Sequence, residues 1–278
     1  MEKNRLLEID FLNTAKVIQT DLPAVIVPLI ESPTLFKYTN EETQAIADKS
    51  YPIQLQTKQI VAKVPLGTPE EYLSYVMPAM INQLASDVSQ ELYQKYCDAA
   101  IDRTSPNSRF KRVLAKVFGM KFPYYCTEPA ELASLIIWSQ AATLKPNSFV
   151  VLPIGLSSLI SRYDGFVFSQ ESRSADTNMI HPFGEINGVT IWLNPVLNYN
   201  STQVVLGSKV EADEAGVYIP MGELEILETD AFANEGPSKN QAIRCRMAIE
   251  KVGNTDTKYE ILQVVNQKKP FFRKLFNL

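Results

Sequence analysis

Apolar side chains recur at intervals of three and four residues in one long stretch of the chain, which is the spacing of a buried helix face. The members of that face are Ile81, Leu84, Val88, Leu92 and Tyr96. Polar residues fall on the opposite side, and they are Gln83, Asp87, Glu91, Lys95 and Asp98. Glu91 and Lys95 are spaced as an i,i+4 ion pair. The pattern predicts one amphipathic helix that ends near Ala100.

A capping box predicts where this helix begins. Thr68 suits the N-cap, Pro69 the first helical position and Glu71 the third. Pro78 lacks a backbone donor inside the pattern, so we expect it to kink or restart the helix. From Pro78 to Ala100 the helix would be about 35 Å long. That length is typical of a strut rather than of a catalytic scaffold.

Two extended runs, residues 24–30 and 53–64, flank a largely polar stretch in which residues 41–49 favour a short helix. This pattern predicts a two-stranded excursion. Isolated two-stranded ribbons are marginal in water, so the ribbon needs a neighbour to lie on. The apolar alternation slips along 53–64, and a bulge at residues 57–59 would explain the slip.

The second half of the chain alternates strand and turn signals. Asn187-Gly188 lies between alternating apolar positions, which predicts a hairpin with a type I′ turn across residues 184–192. Further strands are predicted at 148–152, 203–206, 216–219 and 259–265, and a second helix at 127–143. Residues 224–228 and 242–251 are predicted as a strand pair joined by a polar loop. The order of elements indicates an α+β fold rather than repeated βαβ units.

Composition narrows the class of protein. The chain has 278 residues, 45% of them hydrophobic, which is enough for one large core or two smaller ones. A formal charge of −4 argues against nucleic-acid binding through bulk positive charge. Cys97, Cys126 and Cys245 form no metal-ligand spacing, and their odd number does not suggest a disulfide scaffold. Residues 1–8 lack a signal-peptide core, and the apolar run 22–30 is too short to span a bilayer.

Candidate catalytic groups are few. His181 is the one histidine, so a histidine metal cluster within one chain is excluded and a Ser-His triad would have to use it. Residues 154–158 resemble a GxSxG motif only superficially. The acidic pairs Glu41/Glu42, Glu70/Glu71 and Asp213/Glu214 occupy helix starts or loops, where solvated charge is the ordinary interpretation. We therefore predict no catalytic, cofactor-binding or metal-binding residues.

Two basic segments have alternative interpretations. Arg109, Lys111, Arg112 and Lys116 suit a solvated amphipathic face better than a phosphate contact. The tail, residues 268–276, interleaves cations with Phe271, Phe272 and Phe276. It suits either contact with nucleic acid or a membrane, or docking of the phenylalanines on the body or a neighbouring subunit.

Five segments in order resemble the major capsid (head) proteins of tailed bacteriophages with the Hong Kong 97-type fold, especially the T-even-like branch. The resemblance covers roughly residues 50–260. The segments are QTKQIVAK at 56–63 with EEYL at 70–73, SFVVLP at 148–153, GEINGVTIWLNP at 184–195, VVLGSK at 204–209 with AGVYIP at 215–220, and RCRMAIEKV at 244–252.

The resemblance implies a division into five parts: an N-terminal arm at 1–27, an extended loop at 28–67, a peripheral domain with the long spine helix at 68–124 and 223–265, an axial domain at 125–222, and a C-terminal tail at 266–278. The extended loop would lie across the next subunit. Deletion of residues 32–50 is accordingly expected to leave a folded body that no longer assembles. Glu8 and Glu31 end triplets of the kind cleaved in that family, although such triplets are common by chance.

The function implied is assembly rather than catalysis. The chain would form pentamers and hexamers of an icosahedral or prolate head around double-stranded DNA, assembled in the host cytoplasm and carried in the virion. Portal, decoration or scaffolding proteins would be its partners, DNA would be contacted weakly, and no membrane or cofactor would be involved. Three alternatives stay open: a vertex subunit, an encapsulin-type shell, and a soluble hydrolase using carboxylates near the 184–195 hairpin.

Overall fold

The computed structural model describes residues 10–29, 49–65, 70–102, 123–143, 148–170, 179–211, 214–233, 236–256 and 258–267. Several predictions lie outside these residues: the Thr68 cap, the helix from 41, the basic cluster at 109–116 and the tail from 268. The chain divides into two compact units. Unit 1 comprises Met1–Lys95 and Val210–Asn254, and unit 2 comprises Tyr96–Lys209 and Thr255–Leu278. The division into five parts stays a prediction.

Unit 1 contains a six-stranded mixed sheet. Its strands are β1 (Lys16–Gln19), β4 (Gln56–Pro65), β12 (Gly216–Met221), β13 (Glu225–Ala233), β14 (Gly236–Met247) and β15 (Glu250–Val252). β12 is buried along its whole length, with β1 parallel on one side and β15 and β14 antiparallel on the other. β14 lies between β4 and β13. A strand covered on both faces explains the continuous apolar run of β12.

The N-terminal region joins this sheet rather than extending free. A 3₁₀ turn at Asp10–Thr14 buries Phe11 and Leu12, and the Thr14 hydroxyl donates to the Phe11 carbonyl at 2.7 Å. β1 follows and pairs with β12. The described part of residues 1–21 thus contains a short helical turn and a strand that is held in the sheet of unit 1.

The predicted ribbon is confirmed in part: β2 (Ala24–Leu29) and β3 (Lys49–Gln54) form a separate antiparallel sheet, whereas most of the predicted second run, 53–64, belongs to β4 in the six-stranded sheet. The bulge predicted at residues 57–59 is wrong, because β4 pairs with β14 residue by residue without a register shift. The interruption lies at Leu55, whose N–H donates to the Pro23 carbonyl at 2.9 Å. The apolar phase slips because the chain leaves one sheet and enters another there.

Helix α1 runs from Glu70 to Ala99 and contains Pro78 in its interior. The predicted restart at Pro78 is therefore wrong, and at 30 residues the helix is about 45 Å long. The predicted apolar face is confirmed, because Ile81, Leu84, Val88, Leu92 and Tyr96 are all buried. A proline removes one donor and disturbs one turn, and the packing of four further turns on that face outweighs this cost.

The ion pairs of α1 differ from the prediction. Glu91 pairs with Lys58 of β4, and the Lys95 ammonium lies 3.1 Å from a Glu250 carboxylate oxygen of β15. Glu91 and Lys95 were predicted to pair with each other along the helix. The helix packs against the sheet of unit 1, so each side chain reaches a strand residue of opposite charge instead.

The predicted polar loop between 228 and 242 is also wrong. β13 and β14 form one long hairpin, paired from Glu225 with Arg244 to Ala233 with Gly236. The polar residues 228–230 and 239–241, which suggested a loop, are paired with one another along this ladder. The side chains of Arg244 and Glu225 form a cross-strand ion pair.

Unit 2 contains an eight-stranded sheet. Its strands are β5 (Ile101–Asp102), β6 (Tyr124–Tyr125), β7 (Ser148–Pro153), β8 (Phe166–Phe168), β9 (His181–Ile186), β10 (Val189–Asn194), β11 (Gln203–Ser208) and β16 (Tyr259–Val265). The order is β5-β16-β11-β7-β10-β9-β8, with β6 beside β16. β7 and β10 are parallel neighbours, and β7 is buried from Phe149 to Pro153. The strands predicted at 148–152, 203–206 and 259–265 are thus confirmed.

Helices cover this sheet through one apolar cluster. They are α2 (Pro129–Thr143), a 3₁₀ turn at Ile154–Leu156 and α3 (Ser157–Ile160). Leu132 and Ile136 of α2 are fully buried with Leu159 and Ile160 of α3. The Glu131 carboxylate accepts the Thr127 N–H at 2.7 Å, which satisfies a backbone donor at the start of α2. The helix predicted at 127–143 is confirmed.

The hairpin prediction is confirmed in detail. Asn187 and Gly188 have φ angles of 50° and 80°, as a type I′ turn requires at both central positions. β9 and β10 pair on either side of this turn. The side chain of Asn194 then ends β10, since its oxygen accepts the Val196 N–H at 3.1 Å.

Candidate assembly surfaces

The β2–β3 ribbon has two faces of different character. Val27, Leu29 and Ile53 point to one side and are at most 3% exposed. Ile26 points to the other side and is 68% exposed, and its register partner Pro52 is exposed as well. Alternation along a strand separates the two sets. The outer ribbon face, which we define as Ala24, Ile26, Pro28, Ser50, Pro52 and Gln54, is therefore exposed and mainly apolar.

The inner face packs on the same chain. Leu29 reaches the backbone at Gly253, where a Cβ atom would lie 2.5 Å from the Leu29 Cδ1. Gly253 has a φ angle of 74°, a conformation that glycine adopts without strain. The ribbon was expected to need a neighbour to lie on. For its paired part, unit 1 of the same chain supplies that neighbour. The segment between β2 and β3, residues 30–48, lies outside the described residues.

Edge strand β8 of unit 2 exposes a second apolar surface. Val167 is 67% exposed and Phe168 is 55% exposed. Phe168 and Phe183 meet edge-on with ring centroids 5.7 Å apart, and both contact Phe166. Exposed aromatic residues on a sheet edge are typical of a contact surface, since an unprotected edge invites strand pairing.

A groove of about 540 Å³ runs beside α2 in unit 2. Its lining residues are Tyr124, Tyr125, Cys126, Glu131, Ser134, Leu135 and Trp138. Trp138 is 56% exposed there. Trp138 is an apolar residue of α2, but at 100° per residue it lies about 240° round the helix from the buried Leu132. That angle was the signal that Trp138 leaves the core.

A smaller groove of about 370 Å³ lies at the end of β16. It is lined by Gly155, Leu156, Tyr199, Asn200, Ser201, Thr202, Val264, Val265, Asn266 and Gln267. A Cβ atom on Gly155 would lie 2.0 Å from the Tyr199 carbonyl oxygen, so only glycine fits there. The groove floor is thus formed by two backbone segments in close contact.

The candidate catalytic residues occupy structural positions. The His181 ring donates from Nδ1 to the Met179 carbonyl at 3.1 Å, and the residue begins β9. Ser157, the serine of the GxSxG-like segment, donates to the Ile154 carbonyl at 2.8 Å within a turn. The hairpin at 184–195 carries one carboxylate, Glu185, whereas a glycosidase-type hydrolase needs two that face each other.

Two of the three cysteines, Cys126 and Cys245, are poor nucleophiles and poor metal ligands. Burial raises the pKa of the Cys126 and Cys245 thiols to about 11. The thiolate is the reactive and metal-binding form, so both groups are protonated near neutral pH. Across the part of the chain that the structure describes, no three His, Cys, Asp or Glu side chains are grouped to hold a metal ion.

Among the described helices, none combines the length and the apolar character needed to cross a bilayer.

Comparison with known proteins identifies the fold. No protein-family model and no curated protein matches the sequence. Solved structures do match, among them Mycobacterium phage Che8, with a TM-score of 0.51 and 15% identity over 87% of this chain and 85% of that chain. The capsid of an empty GTA particle gives a TM-score of 0.52 and 11% identity over 92% and 90%. The holo-SrpI encapsulin complex from Synechococcus elongatus gives 0.52 and 11% over 93% and 88%.

At such low identity these likenesses establish the fold alone. This chain has the mixed α/β architecture of the Hong Kong 97-type capsid proteins, as the sequence resemblance implied. The three matched structures come from different particles, a phage, a GTA particle and an encapsulin. The fold by itself does not establish the function of this chain.

Proposed function

We propose that this chain is a structural capsid protein that self-assembles into the head shell of a tailed double-stranded DNA bacteriophage. The observation that carries the proposal is the capsid fold, which extends over 87% of the chain in the phage match and 92% in the GTA match. A match of that extent leaves little of the chain for an added catalytic domain. The match supports shell formation as the function of the matched part of the chain.

Exposed apolar surfaces support assembly with further copies. The outer ribbon face around Ile26 and the β8 edge at Val167 and Phe168 leave apolar side chains in water. Burial of apolar surface stabilises protein association by roughly 25 cal/mol per Å² before the costs of association. Closed shells of one subunit use such patches in rotational contacts, here those of pentamers and hexamers. Residues 28–67 are proposed as the extended loop, with 30–48 reaching the next subunit.

Charge supports a container for DNA. The formal charge of −4 makes the subunit repel a packaged polyanion on average, which keeps contacts with the genome weak. We propose a portal, and scaffolding or decoration proteins, as partners, the virion as the location and the host cytoplasm as the place of assembly. Membership of the T-even-like branch, and a role in the main lattice rather than at the vertices, belong to the same proposal.

An encapsulin-type compartment is the second candidate. The observation that favours it is the likeness to the Synechococcus elongatus encapsulin complex, whose TM-score equals that of the GTA capsid. Particles purified from the native source distinguish the two. A shell with DNA and a portal at one vertex supports the phage head, whereas an enzyme inside a shell that lacks DNA supports the compartment.

Electron microscopy tests whether the purified chain forms a shell. Two single-substitution variants of strand β2 are compared with the unsubstituted chain. The unsubstituted chain is expected to form closed particles. Ile26→Asp places a charge on the outer ribbon face, so assembly should be lost while the circular dichroism spectrum is unchanged. Val27→Asp is the matched variant on the buried face, and it should lower the free energy of unfolding instead. A chain that stays a 31.3 kDa monomer at high concentration would contradict both shell functions.

A further inference from the structure

The end of β16 lies beside the larger groove of unit 2. Val265 is the last residue of β16 and pairs with Tyr125 in the parallel β6–β16 ladder. The Cys126 N–H donates to the Val265 carbonyl at 3.0 Å, and the Gln267 N–H donates to the same carbonyl at 2.9 Å. Tyr125 and Cys126 both line the groove. Gln267, the last described residue, lines the smaller groove, and its acceptor Val265 is joined to Cys126 of the larger groove, so the chain leaves the described part beside both grooves.

The groove has the chemistry of a site for aromatic and cationic side chains. Tyr124, Tyr125 and Trp138 supply aromatic surface, Leu135 supplies aliphatic surface, and Glu131 supplies a carboxylate. Its volume of about 540 Å³ is within the range of sites that enclose a small ligand. Aromatic faces bind both other rings and ammonium or guanidinium groups.

The sequence after Gln267 matches that chemistry. Residues 268–278 read KKPFFRKLFNL and contain four cations, three phenylalanines and no acid. Because the whole chain carries −4, residues 1–267 carry a formal charge of −8. A basic tail is thus attached to an acidic body. Phe271 and Phe272 follow Gln267 by four and five residues, a reach of about 13–18 Å when extended, which suffices to cross the groove from its border.

We propose that the tail of each chain, residues 268–278, docks in the groove of its own unit 2, with Phe271 and Phe272 against Trp138 and the flanking cations near Glu131. Attachment at the border favours the chain's own tail over that of another copy, since a short tether holds it at millimolar effective concentration. Docking would cover the exposed indole. The proposal does not depend on the shell function.

Disulfide trapping in the full-length chain tests the proposal. Ser134 lines the larger groove and Ser201 lines the smaller one, so each can be replaced by cysteine together with Phe272→Cys. Mild oxidation of Ser134→Cys/Phe272→Cys should give an internal cross-link about tenfold faster than Ser201→Cys/Phe272→Cys. Ser134→Cys alone reports any pairing with the native Cys126.

Each outcome of this experiment decides the proposal. A fast internal link at position 134 supports it. Covalent dimers and larger products would mean that the tail docks on another copy, and a faster link at position 201 would place it in the smaller groove; either result overturns the proposal. Equal slow rates at both positions would show that the tail is undocked, which overturns it as well.

Tryptophan fluorescence gives an independent measurement without new cysteines. Trp192 is 5% exposed, so acrylamide quenching of the full-length chain reports mainly on Trp138. Phe271→Ala/Phe272→Ala should increase quenching and shift the emission to longer wavelength. The same double substitution in a Trp138→Phe chain should change neither. Unchanged quenching in the chain that keeps Trp138 would contradict docking.

Discussion

At the scale of single residues, the core of unit 2 contains three packed aromatic rings, two of which lie against a glycine. Tyr96 lies with its ring centroid 5.0 Å from that of Phe149 and 4.9 Å from that of Tyr259. All three residues are essentially inaccessible to solvent. A Cβ atom on Gly207 would lie 2.4 Å from Phe149 Cζ and 2.8 Å from Tyr259 Cδ1. The strand can thus carry only a hydrogen at this position.

Gly207→Ala is therefore expected to lower the free energy of unfolding by about 1–3 kcal/mol through overpacking. Urea unfolding followed by tryptophan fluorescence measures it, since Trp138 and Trp192 both belong to unit 2. Gly188→Asn is the control: no atom lies within 4 Å of its added Cβ, and asparagine tolerates a positive φ angle. Its effect should stay within about 0.5 kcal/mol. Equal effects at both glycines would contradict the packing argument.

The buried thiols predict a loss of stability in alkaline solution. Burial raises the pKa of Cys126 and Cys245 from 9.0 to about 11, and the Glu131 carboxylate adds to the shift at Cys126. Below pH 9 the thiols are protonated in both states and have no effect. Between pH 9 and pH 11 the unfolded chain loses these protons more readily than the folded chain, so the free energy of unfolding falls as pH rises.

The comparison that isolates this effect uses Cys126→Ala/Cys245→Ala, because lysine and tyrosine side chains titrate in the same range. Unfolding free energies at pH 8.5, 9.5 and 10.5 should fall more steeply for the unsubstituted chain, by at most about 1.4 kcal/mol per pH unit for each thiol. Parallel pH profiles of the two proteins would show that burial does not hold these thiols in the neutral form.

At the scale of elements, local patterns predicted the features that depend on residues close together in the sequence. They did not predict the features that depend on tertiary contacts. The apolar face of α1 and the Asn187-Gly188 turn follow from spacing and backbone sterics, and both are as predicted. The predicted Glu91–Lys95 pair is wrong because each side chain pairs instead with Lys58 or Glu250, which come from strands distant in sequence. The position of Trp138 in the groove could be predicted from its angle on α2. The position of Tyr125 could not, because it depends on a parallel strand pairing that no short sequence pattern reveals.

Helix α1 should depend on its apolar face far more than on its ion pairs. Leu92 is fully buried, so Leu92→Ala is expected to cost about 2–5 kcal/mol. Lys95 and Glu250 are 26% and 50% exposed, and such pairs contribute about 0–1 kcal/mol, so Lys95→Ala should cost no more than that. Thermal unfolding followed by circular dichroism compares the two variants. A larger effect for Lys95→Ala would mean that charge, not apolar contact, holds the helix on the sheet.

At the scale of the whole molecule, folding and assembly should separate at the boundary between the paired ribbon and the segment that joins its strands. The ladder pairs Leu29 with Lys49 and Pro28 with Ser50. Deletion of residues 32–50, as suggested from the sequence, would therefore remove two paired residues of β3. Deletion of 32–48 with a short glycine-serine linker keeps the ladder and the contact of Leu29 with Gly253. The monomer should therefore unfold at an unchanged temperature.

Assembly is expected to fail in the same variant, because residues 32–48 are the part of the proposed loop that the ladder does not hold on its own unit. Sedimentation and negative-stain imaging measure the fraction of chains in particles. The control variant replaces the deleted segment with a linker of equal length. Its assembly should also fail if specific side chains contact the next subunit, and particles should return if only chain length matters. Particles of normal size from the shortened chain would show that the intersubunit contacts lie elsewhere, on the outer ribbon face or the β8 edge.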